Sequence, residues 1–226
     1  ALKKKNKNIR VIGVQMTSSP AAYRKFNEHK GLKSKVIANQ QKSPLADGIA
    51  VKSPGELNLA IIYDFVDEIV VVTEDEVAMA ISMMAERGKI IAEGAGAVAF
   101  AAIYTHKFKF YNKDKIVAIV SGGNIPLQML GRCIDRALFL RKTRVSLRIV
   151  MPYDSIYLKD LVDIIVNNKA QILDMKLERQ VDTFANNEHC NIVIDAPSPQ
   201  CLNQIKNQFK EKGWSYTIEN NEALAE

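Results

Sequence analysis

The stretch that decides the fold is Ile-Val-Val-Val-Thr-Glu-Asp-Glu-Val-Ala-Met-Ala-Ile-Ser-Met-Met-Ala-Glu-Arg-Gly, residues 69–88. Its first four residues are apolar without alternation, which is typical of a strand buried on both faces of a parallel sheet. Thr73 and Glu76 have the spacing of a capping box, in which each side chain bonds the backbone N–H of the other residue. We therefore expect a helix that ends at Gly88 and whose inward face is formed by Val77, Ala80, Ile81 and Met84.

Strands and helices alternate on both sides of this stretch. Residues 9–14 and 115–120 are short β-branched runs that predict two more buried strands. Apolar residues at helical spacing follow these runs at 20–29 and 127–138, and they precede the central strand at 56–66. This alternation is typical of an α/β fold with a mainly parallel sheet.

The pattern changes at Val145, where apolar and polar residues begin to alternate. From there the chain predicts the order β-α-β-β-α-β, which is the ferredoxin-like split arrangement. We therefore expect two domains, at 1–142 and 145–220. The elements predicted for the second domain are strands at 145–151, 172–179, 189–196 and 214–218, and helices at 158–165 and 201–212.

Composition excludes several classes of protein. The 226 residues carry a formal net charge of +6, and no apolar run reaches the length of about 18 residues that a membrane span requires. The three cysteines have no metal-site spacing, which favours a reducing, cytoplasmic compartment. The basic start of the chain has no interleaved aromatic residue, so it does not indicate nucleic-acid binding. The histidines are scattered, and we expect no metal site.

Two glycine-rich loops and one long irregular stretch are candidates for a binding site. Glu-Gly-Ala-Gly-Ala at 93–97 and Ser-Gly-Gly-Asn at 121–124 each follow an apolar run and precede a helix. Ligands in parallel sheets bind at this position, where glycine lets a ligand approach the backbone and a helix start favours negative charge. A tight connection between a strand and the following helix would also explain such glycines. Residues 31–54 are long and weakly periodic, which predicts a functional loop.

A dinucleotide site is one alternative for the first of these loops. Residues 94–99 match the pattern G-x-G-x-x-A, which expects an acidic residue at the end of the next strand to bind the ribose. That position holds Ser121, Gly122 and Gly123, none of which can act in this way. The sequence therefore disfavours a dehydrogenase.

Four segments in order resemble the threonine dehydratase (threonine ammonia-lyase) family. They are Val-Ile-Gly-Val-Gln at 11–15, the run at 46–57, Ala-Glu-Gly-Ala-Gly-Ala-Val-Ala at 92–99, and Val-Ser-Gly-Gly-Asn at 120–124. Residues 145–220 are similar to the ACT regulatory domain that many members carry. The resemblance implies a fold type II pyridoxal-phosphate (PLP) lyase that converts L-threonine to 2-oxobutanoate and ammonia, and often L-serine to pyruvate.

The resemblance also implies which residues of this chain face the cofactor. Ser121 would bond the pyridine nitrogen, and a neutral hydroxyl would do so without protonating the ring. A weaker electron sink would favour loss of a β-substituent over transamination. The remaining implied residues are Gly122, Gly123 and Asn124 along the same wall, Glu93 and Gly94 beside the ring, and Asp47 and Gly48 near the ring hydroxyl and substrate.

Several motifs of the family have no counterpart in these residues. The Ser-Phe-Lys motif of the Schiff-base lysine, the Ser-x-Gly-Asn-His loop and the phosphate-binding glycine run are all missing. We therefore expect a chain that corresponds to the C-terminal half of the enzyme and is inactive alone. A truncated chain, a partner chain that supplies the first half, and a remnant kept for its ACT domain are the three explanations. The alternative function is a non-catalytic amino-acid-sensing or assembly module.

Two further departures from the family concern a cation site and an effector site. Residues 15–21 contain no carboxylate, so the cation site of some relatives is not expected. ACT domains that bind amino acids carry Pro-Gly in the first βα loop, whereas this chain has Pro152-Tyr153. A branched-chain amino-acid effector and simple packing against another ACT domain both remain open. The family resemblance implies a homo-oligomer.

Overall fold

A computed structural model describes residues 2–34, 45–179 and 187–219. Residues 35–44 of the expected functional loop, and residue 220 at the end of the predicted second domain, lie outside the described residues. The chain divides into two compact units, Ala1–Ala137 and Leu138–Glu226.

The first unit contains a parallel two-stranded sheet with helices, as the α/β pattern predicts. Strands β1 (Ile12–Met16) and β2 (Glu68–Val72) pair in parallel, with Ile12 opposite Glu68 and Met16 opposite Val72. The helices are α1 (Leu2–Lys5), α2 (Ala21–His29), α3 (Glu56–Phe65), α4 (Glu74–Met83), α5 (Gly94–Tyr104) and α6 (Leu127–Leu140), whose last residues belong to the second unit.

The core of this unit lies where α5 contacts α4 and both strands. Helix α5 consists largely of alanine and glycine, so its backbone can approach the neighbouring elements closely. Burying apolar side chains here contributes about 25 cal/mol per Å² removed from water. The fully buried residues of this core are Val72, Val77, Ala80, Ile81, Ala92, Ala97, Ala101 and Ala102.

The capping box at the start of α4 is confirmed. The backbone N–H of Thr73 donates to the Glu76 carboxylate at 2.9 Å, and the Glu76 N–H donates to the Thr73 hydroxyl at 3.3 Å. The end of the helix differs from the prediction. The α-helix ends at Met83 and continues as a π-helical turn, Met84–Gly88, after which Lys89 rather than Gly88 adopts a left-handed φ of 55°.

The predicted buried strand at 115–120 is wrong. Residues 115–123 form no strand in the structure, and Val117 and Ile119 are 87% and 75% exposed. A strand needs a neighbour for its backbone hydrogen bonds, and β1 and β2 pair only with each other among the described residues. The apolar run at 115–120 indicated a segment that could be buried on both faces. It did not indicate which strand would pair with that segment.

The first strand begins three residues later than predicted, and the reason is local. The Val11 N–H donates to the Asp67 carboxylate at 2.7 Å, and the Ile9 N–H donates to the Asn6 carbonyl at 3.3 Å. These bonds hold residues 9–11 in the turn that precedes the strand. The pairing of β1 with β2 therefore begins at Ile12.

The second unit has the element order β-α-β-β-α-β, as predicted. It consists of β3 (Arg144–Pro152), α7 (Ser155–Asn167), β4 (Gln171–Arg179), β5 (Asn187–Asp195), α8 (Pro199–Glu211) and β6 (Ser215–Ile218). The strands form one antiparallel sheet in the order β4-β5-β3-β6, which is the ferredoxin-like arrangement.

Local signals explain the helix starts of this unit. The Asp154 carboxylate accepts from the Ile156 N–H at 3.0 Å, and the Ser198 hydroxyl accepts from the Cys201 N–H at 3.2 Å. Such caps each contribute about 1 kcal/mol. The core is formed by alternate residues of the strands and one face of each helix, among them Leu147, Ile149, Leu161, Ile165, Ile192, Ile194, Ile205 and Phe209.

In the part of the chain that the structure describes, every helix is too short or too polar to cross a bilayer.

Candidate cofactor site

Two glycines at the start of α5 bring separate loops against the helix. A Cβ placed on Gly94 would lie 1.8 Å from the backbone oxygen of Leu45. A Cβ placed on Gly96 would lie 1.8 Å from the backbone oxygen of Ser121. No side chain fits at such distances, so only glycine allows these two loops to contact the helix start together.

Glu93 and Gly122 join the two glycine-rich loops directly. The Glu93 N–H donates to the Gly122 carbonyl at 3.3 Å. Gly122 has a φ of +81°, and a Cβ there would lie 2.2 Å from the Glu93 carboxylate. The left-handed backbone favours glycine at this position, and a Cβ there would require the Glu93 side chain to move.

The loop that contains Asp47 and Gly48 contacts the same end of α5. Asp47–Ile49 form a 3₁₀ turn, in which the Ala50 N–H donates to the Asp47 carbonyl at 3.0 Å. A Cβ on Gly48 would lie 3.3 Å from the Cβ of Ala95. Asp47 and Gly48 are themselves exposed. The structure therefore brings all three predicted motifs to the first turn of α5.

Ser121 presents its side chain on the surface beside this turn. The residue is exposed, and within the described residues its hydroxyl has no hydrogen-bond partner. A serine hydroxyl can donate to a ring nitrogen without transferring a proton. Gly123 and Asn124, which follow it, are exposed as well, and the Ile125 N–H donates to the Gly123 carbonyl at 2.9 Å.

The helix start adds a favourable electrostatic environment. Glu93 is the N-cap residue of α5, and its side chain makes no capping hydrogen bond. The first N–H groups of a helix are unpaired within the helix and favour an anion or a polar acceptor. Gly94 and Gly96 of this helix start are buried against neighbouring loops, so the exposed Ser121 hydroxyl is the group that is accessible to a polar heteroaromatic cofactor.

Gly94 and Gly122 contribute to packing between loops. The sequence left two roles open for the glycines of these loops, ligand approach to the backbone and a tight connection. In the structure, protein atoms fill the Cβ positions of both residues, Leu45 at the first and Glu93 at the second. Their observed role is to let loops pack together, which fixes where Ser121 lies.

Sequence reasoning missed Gly96 as a site residue. Its contact with the Ser121 backbone sets the position of the hydroxyl, although Gly96 offers no functional group of its own. The spacing Gly94-Ala95-Gly96 was the available signal, because a second glycine at the start of a small-residue helix indicates close approach by another backbone. Within the described residues no cluster of His, Cys, Asp and Glu is arranged to hold a metal ion.

The chain is similar to curated proteins over most of its length. The L-threonine ammonia-lyase of Thermotoga maritima is 38% identical over 176 residues, which are 77% of this chain and 42% of that protein. The L-threonine ammonia-lyase of Geobacter sulfurreducens is 36% identical over 149 residues, which are 66% of this chain and 36% of that protein. The chain thus spans about two fifths of the length of these relatives.

One solved structure and one family model complete the comparison. The structure of the processed form of threonine deaminase isoform 2 from Solanum lycopersicum aligns with a TM-score of 0.49 at 29% identity. The alignment covers 61% of this chain and 37% of that one. The family model described as pyridoxal-phosphate dependent enzyme matches residues 1–122, which is more than half of the chain. The chain therefore belongs to the family of pyridoxal-phosphate dependent enzymes.

Proposed function

We propose that this chain forms one wall of the active site of a PLP-dependent threonine ammonia-lyase. The reaction releases ammonia from L-threonine to give 2-oxobutanoate, and from L-serine to give pyruvate. The observation that carries the proposal is the convergence of three loops on the first turn of α5, with the Ser121 hydroxyl exposed beside it. The names of the curated relatives support the choice of substrate.

Each residue of the wall has a distinct task in this proposal. PLP, when bound, supplies an electron sink for negative charge at the substrate α-carbon. The Ser121 hydroxyl would donate to the pyridine nitrogen and leave it unprotonated, which would moderate that sink and favour elimination. Gly122, Gly123 and Asn124 would extend the wall, and Glu93 and Gly94 would line the ring side. Asp47 and Gly48 would lie toward the ring hydroxyl and the substrate.

We further propose that the Schiff-base lysine comes from residues outside these 226. The family places this lysine in a Ser-Phe-Lys motif, and the chain contains no such tripeptide. The chain alone is then inactive. A chain that instead acts as an amino-acid-sensing or assembly module would remain inactive when the remaining part of the active site is supplied.

The two-domain organisation is part of the same proposal. Residues 1–142 correspond to the C-terminal part of the catalytic domain and residues 145–220 to an ACT-like domain. The antiparallel sheet and the two helices of the second unit support this assignment. A branched-chain amino acid is the proposed effector class, and the proposed assembly is a homo-oligomer.

A chimeric enzyme tests the function. The segment of the Thermotoga maritima L-threonine ammonia-lyase that precedes its matching region is fused to this chain, and 2-oxobutanoate formation from L-threonine is measured with PLP present. We expect activity in the chimera and a loss of at least tenfold in kcat for Ser121→Ala, since one strong polar contact to the cofactor is removed. Ser121→Thr, which retains the hydroxyl, is the matched control.

The outcomes separate the two functions. A folded chimera that binds PLP but releases no ammonia favours the sensing or assembly module. Full activity in Ser121→Ala would show that this hydroxyl does not act on the cofactor. Activity in the chimera would still support the enzyme class.

A further inference from the structure

A cavity of about 570 Å³ lies in the first unit, at the end of the sheet where both strands begin. It is lined by Arg10, which precedes β1, by Glu68, the first residue of β2, and by residues 106–111, which follow α5. Small-molecule sites typically have volumes of about 300–1,000 Å³. The candidate cofactor site lies at the start of α5 and this cavity beyond its end, so the length of the helix, about 16 Å, lies between them.

The way in which α5 ends places His106 at this cavity. The residue follows the C-cap residue Thr105 and has a left-handed φ of +53°. Its N–H donates to the Ile103 carbonyl at 3.1 Å, and the N–H of the next residue donates to the Ala102 carbonyl at 2.9 Å. These bonds form a Schellman motif, in which glycine is the usual residue at the left-handed position. Glycine would therefore fit the backbone at 106 with less strain than histidine does.

The imidazole of His106 forms an aromatic wall with two phenylalanines. It is stacked on Phe110, with ring centroids 5.1 Å apart and an interplanar angle of 14°. Phe108 lies tilted against Phe110 at 5.5 Å and packs against the core of the unit, which anchors the segment. His106 is exposed, and its ring nitrogens have no hydrogen-bond partner among the described residues. A further flat ring can stack on or against the edge of such a pair.

The charges of the cavity leave one ammonium that no described residue pairs with. The Lys107 ammonium pairs with the Glu76 carboxylate at 2.6 Å. The Arg10 guanidinium pairs with the Glu68 carboxylate at 3.2 Å and donates to the Lys109 carbonyl at 2.9 Å. The second of these bonds holds the backbone of Lys109 beside the cavity, while the Lys109 ammonium has no hydrogen bond or ion pair with the described residues. It is therefore available to an anion.

We propose that this cavity binds a small anion carried on a flat aromatic ring, either an aromatic carboxylate or an aromatic phosphate ester. The ring stacks on the pair formed by His106 and Phe110, and the anionic group accepts from the Lys109 ammonium. An exposed lysine alone would only be hydrated, and stacked rings alone would accept any apolar group. The cavity combines the rings with a lining of three cations and one carboxylate, which selects a ligand that is both flat and negatively charged. Binding here is independent of the lyase function.

Calorimetric titration of the full 226-residue chain tests the ligand class, with 2-naphthoate and 2-naphthyl phosphate as probes. We expect one site per chain for at least one of them, and the tighter probe distinguishes a carboxylate ligand from a phosphate ligand. 2-Naphthamide keeps the ring without the charge, and cyclohexanecarboxylate keeps the charge without a flat ring. Each should bind about tenfold more weakly than the better probe. No binding of either anion, or equal binding of the uncharged amide, overturns the proposal.

Two variants and a matched control test the place of binding. Lys109→Gln changes an exposed side chain and should weaken binding of the better probe about tenfold, because a charge-assisted hydrogen bond is lost. His106→Gly should weaken it on the order of fivefold through lost stacking.

The control is Lys169→Gly. Lys169 has a φ of +58° and the same hydrogen bonds after α7, but it lies outside the lining of the cavity. Both glycine variants relieve a left-handed backbone, so neither should unfold the chain, and circular dichroism checks this. Lys169→Gly should leave the affinity unchanged. Full affinity in Lys109→Gln, or equal losses in His106→Gly and Lys169→Gly, overturns the proposal.

Discussion

The backbone oxygen of Ser121 occupies the space that a Cβ on Gly96 would need, 1.8 Å from the position that this atom would take. The relationship joins the first turn of α5 to the loop whose hydroxyl we assign to the cofactor. Because the obstructing atom belongs to the backbone, no change of side-chain rotamer can relieve the contact. Gly96 thereby determines where Ser121 lies, although the two residues are distant in the sequence.

Gly96→Ala should therefore destabilise the first unit. Overpacking of this kind costs about 1–3 kcal/mol, and a clash with backbone belongs at the upper end. Urea unfolding followed by circular dichroism measures the change in the free energy of unfolding. Gly131→Ala is the matched control, because Gly131 lies within α6 and a Cβ there meets nothing within 4 Å. It should stabilise the chain by about 0.5–1 kcal/mol. Equal effects in the two variants would contradict the packing argument.

Gly122→Ala should lower the free energy of unfolding through two effects that can be measured separately. The left-handed backbone costs a non-glycine residue about 1–2 kcal/mol, and the added Cβ crowds the Glu93 carboxylate, which it would approach to 2.2 Å. Gly213→Ala isolates the first term, because Gly213 has a φ of +75° and open space around its Cβ position. Chemical denaturation should show the larger loss for Gly122→Ala.

A double variant tests the crowding of the Glu93 carboxylate. Glu93→Ala combined with Gly122→Ala should recover the part of the loss that exceeds the Gly213→Ala value. If the double variant is no more stable than Gly122→Ala, the carboxylate does not crowd the loop in solution.

Asp67 should make stability depend on pH below about pH 5. Burial raises the pKa of this carboxyl, but the Lys3 ammonium, the Val11 N–H and Arg10 outweigh burial and lower its pKa below 3.8. A carboxyl whose pKa is lower in the folded chain contributes stability above its unfolded pKa, and the contribution is lost as the pH falls through the folded pKa. The wild type should therefore exceed Asp67→Asn in Tm near neutral pH.

Thermal unfolding from pH 7 to pH 2.5 measures this difference. The gap between the wild type and Asp67→Asn should be constant above about pH 5 and should shrink as the pH falls further. Glu56→Gln is a control on an exposed carboxyl of α3. A gap that widens in acid would mean that the folded chain raises the pKa of Asp67.

Features that depend on residues close together in the sequence were predicted correctly more often than features that depend on contacts between distant residues. Thr73 and Glu76 are three residues apart, so their capping box follows from the chain itself, and the alternation after Val145 fixed the order of the second unit. The strand predicted at 115–120 needed a partner that its own residues do not specify. Likewise, glycine spacing marked the loops at 93–97 and 121–124, but only the structure shows that they pack against each other through Gly96.

The absence of a Ser-Phe-Lys motif gives the last prediction. PLP added to the full 226-residue chain should produce no site-specific visible absorbance of a lysine Schiff base, because the residues assigned here to the cofactor donate hydrogen bonds or shape the wall, and none is an amine. Titration at stoichiometric PLP, followed by borohydride reduction and peptide mapping, distinguishes one specific lysine from slow scattered labelling of surface lysines. The Ser121→Ala chain is the control and should give the same scattered pattern. A single lysine that is labelled stoichiometrically in the wild type and lost in Ser121→Ala would show that these residues complete the cofactor site without another segment.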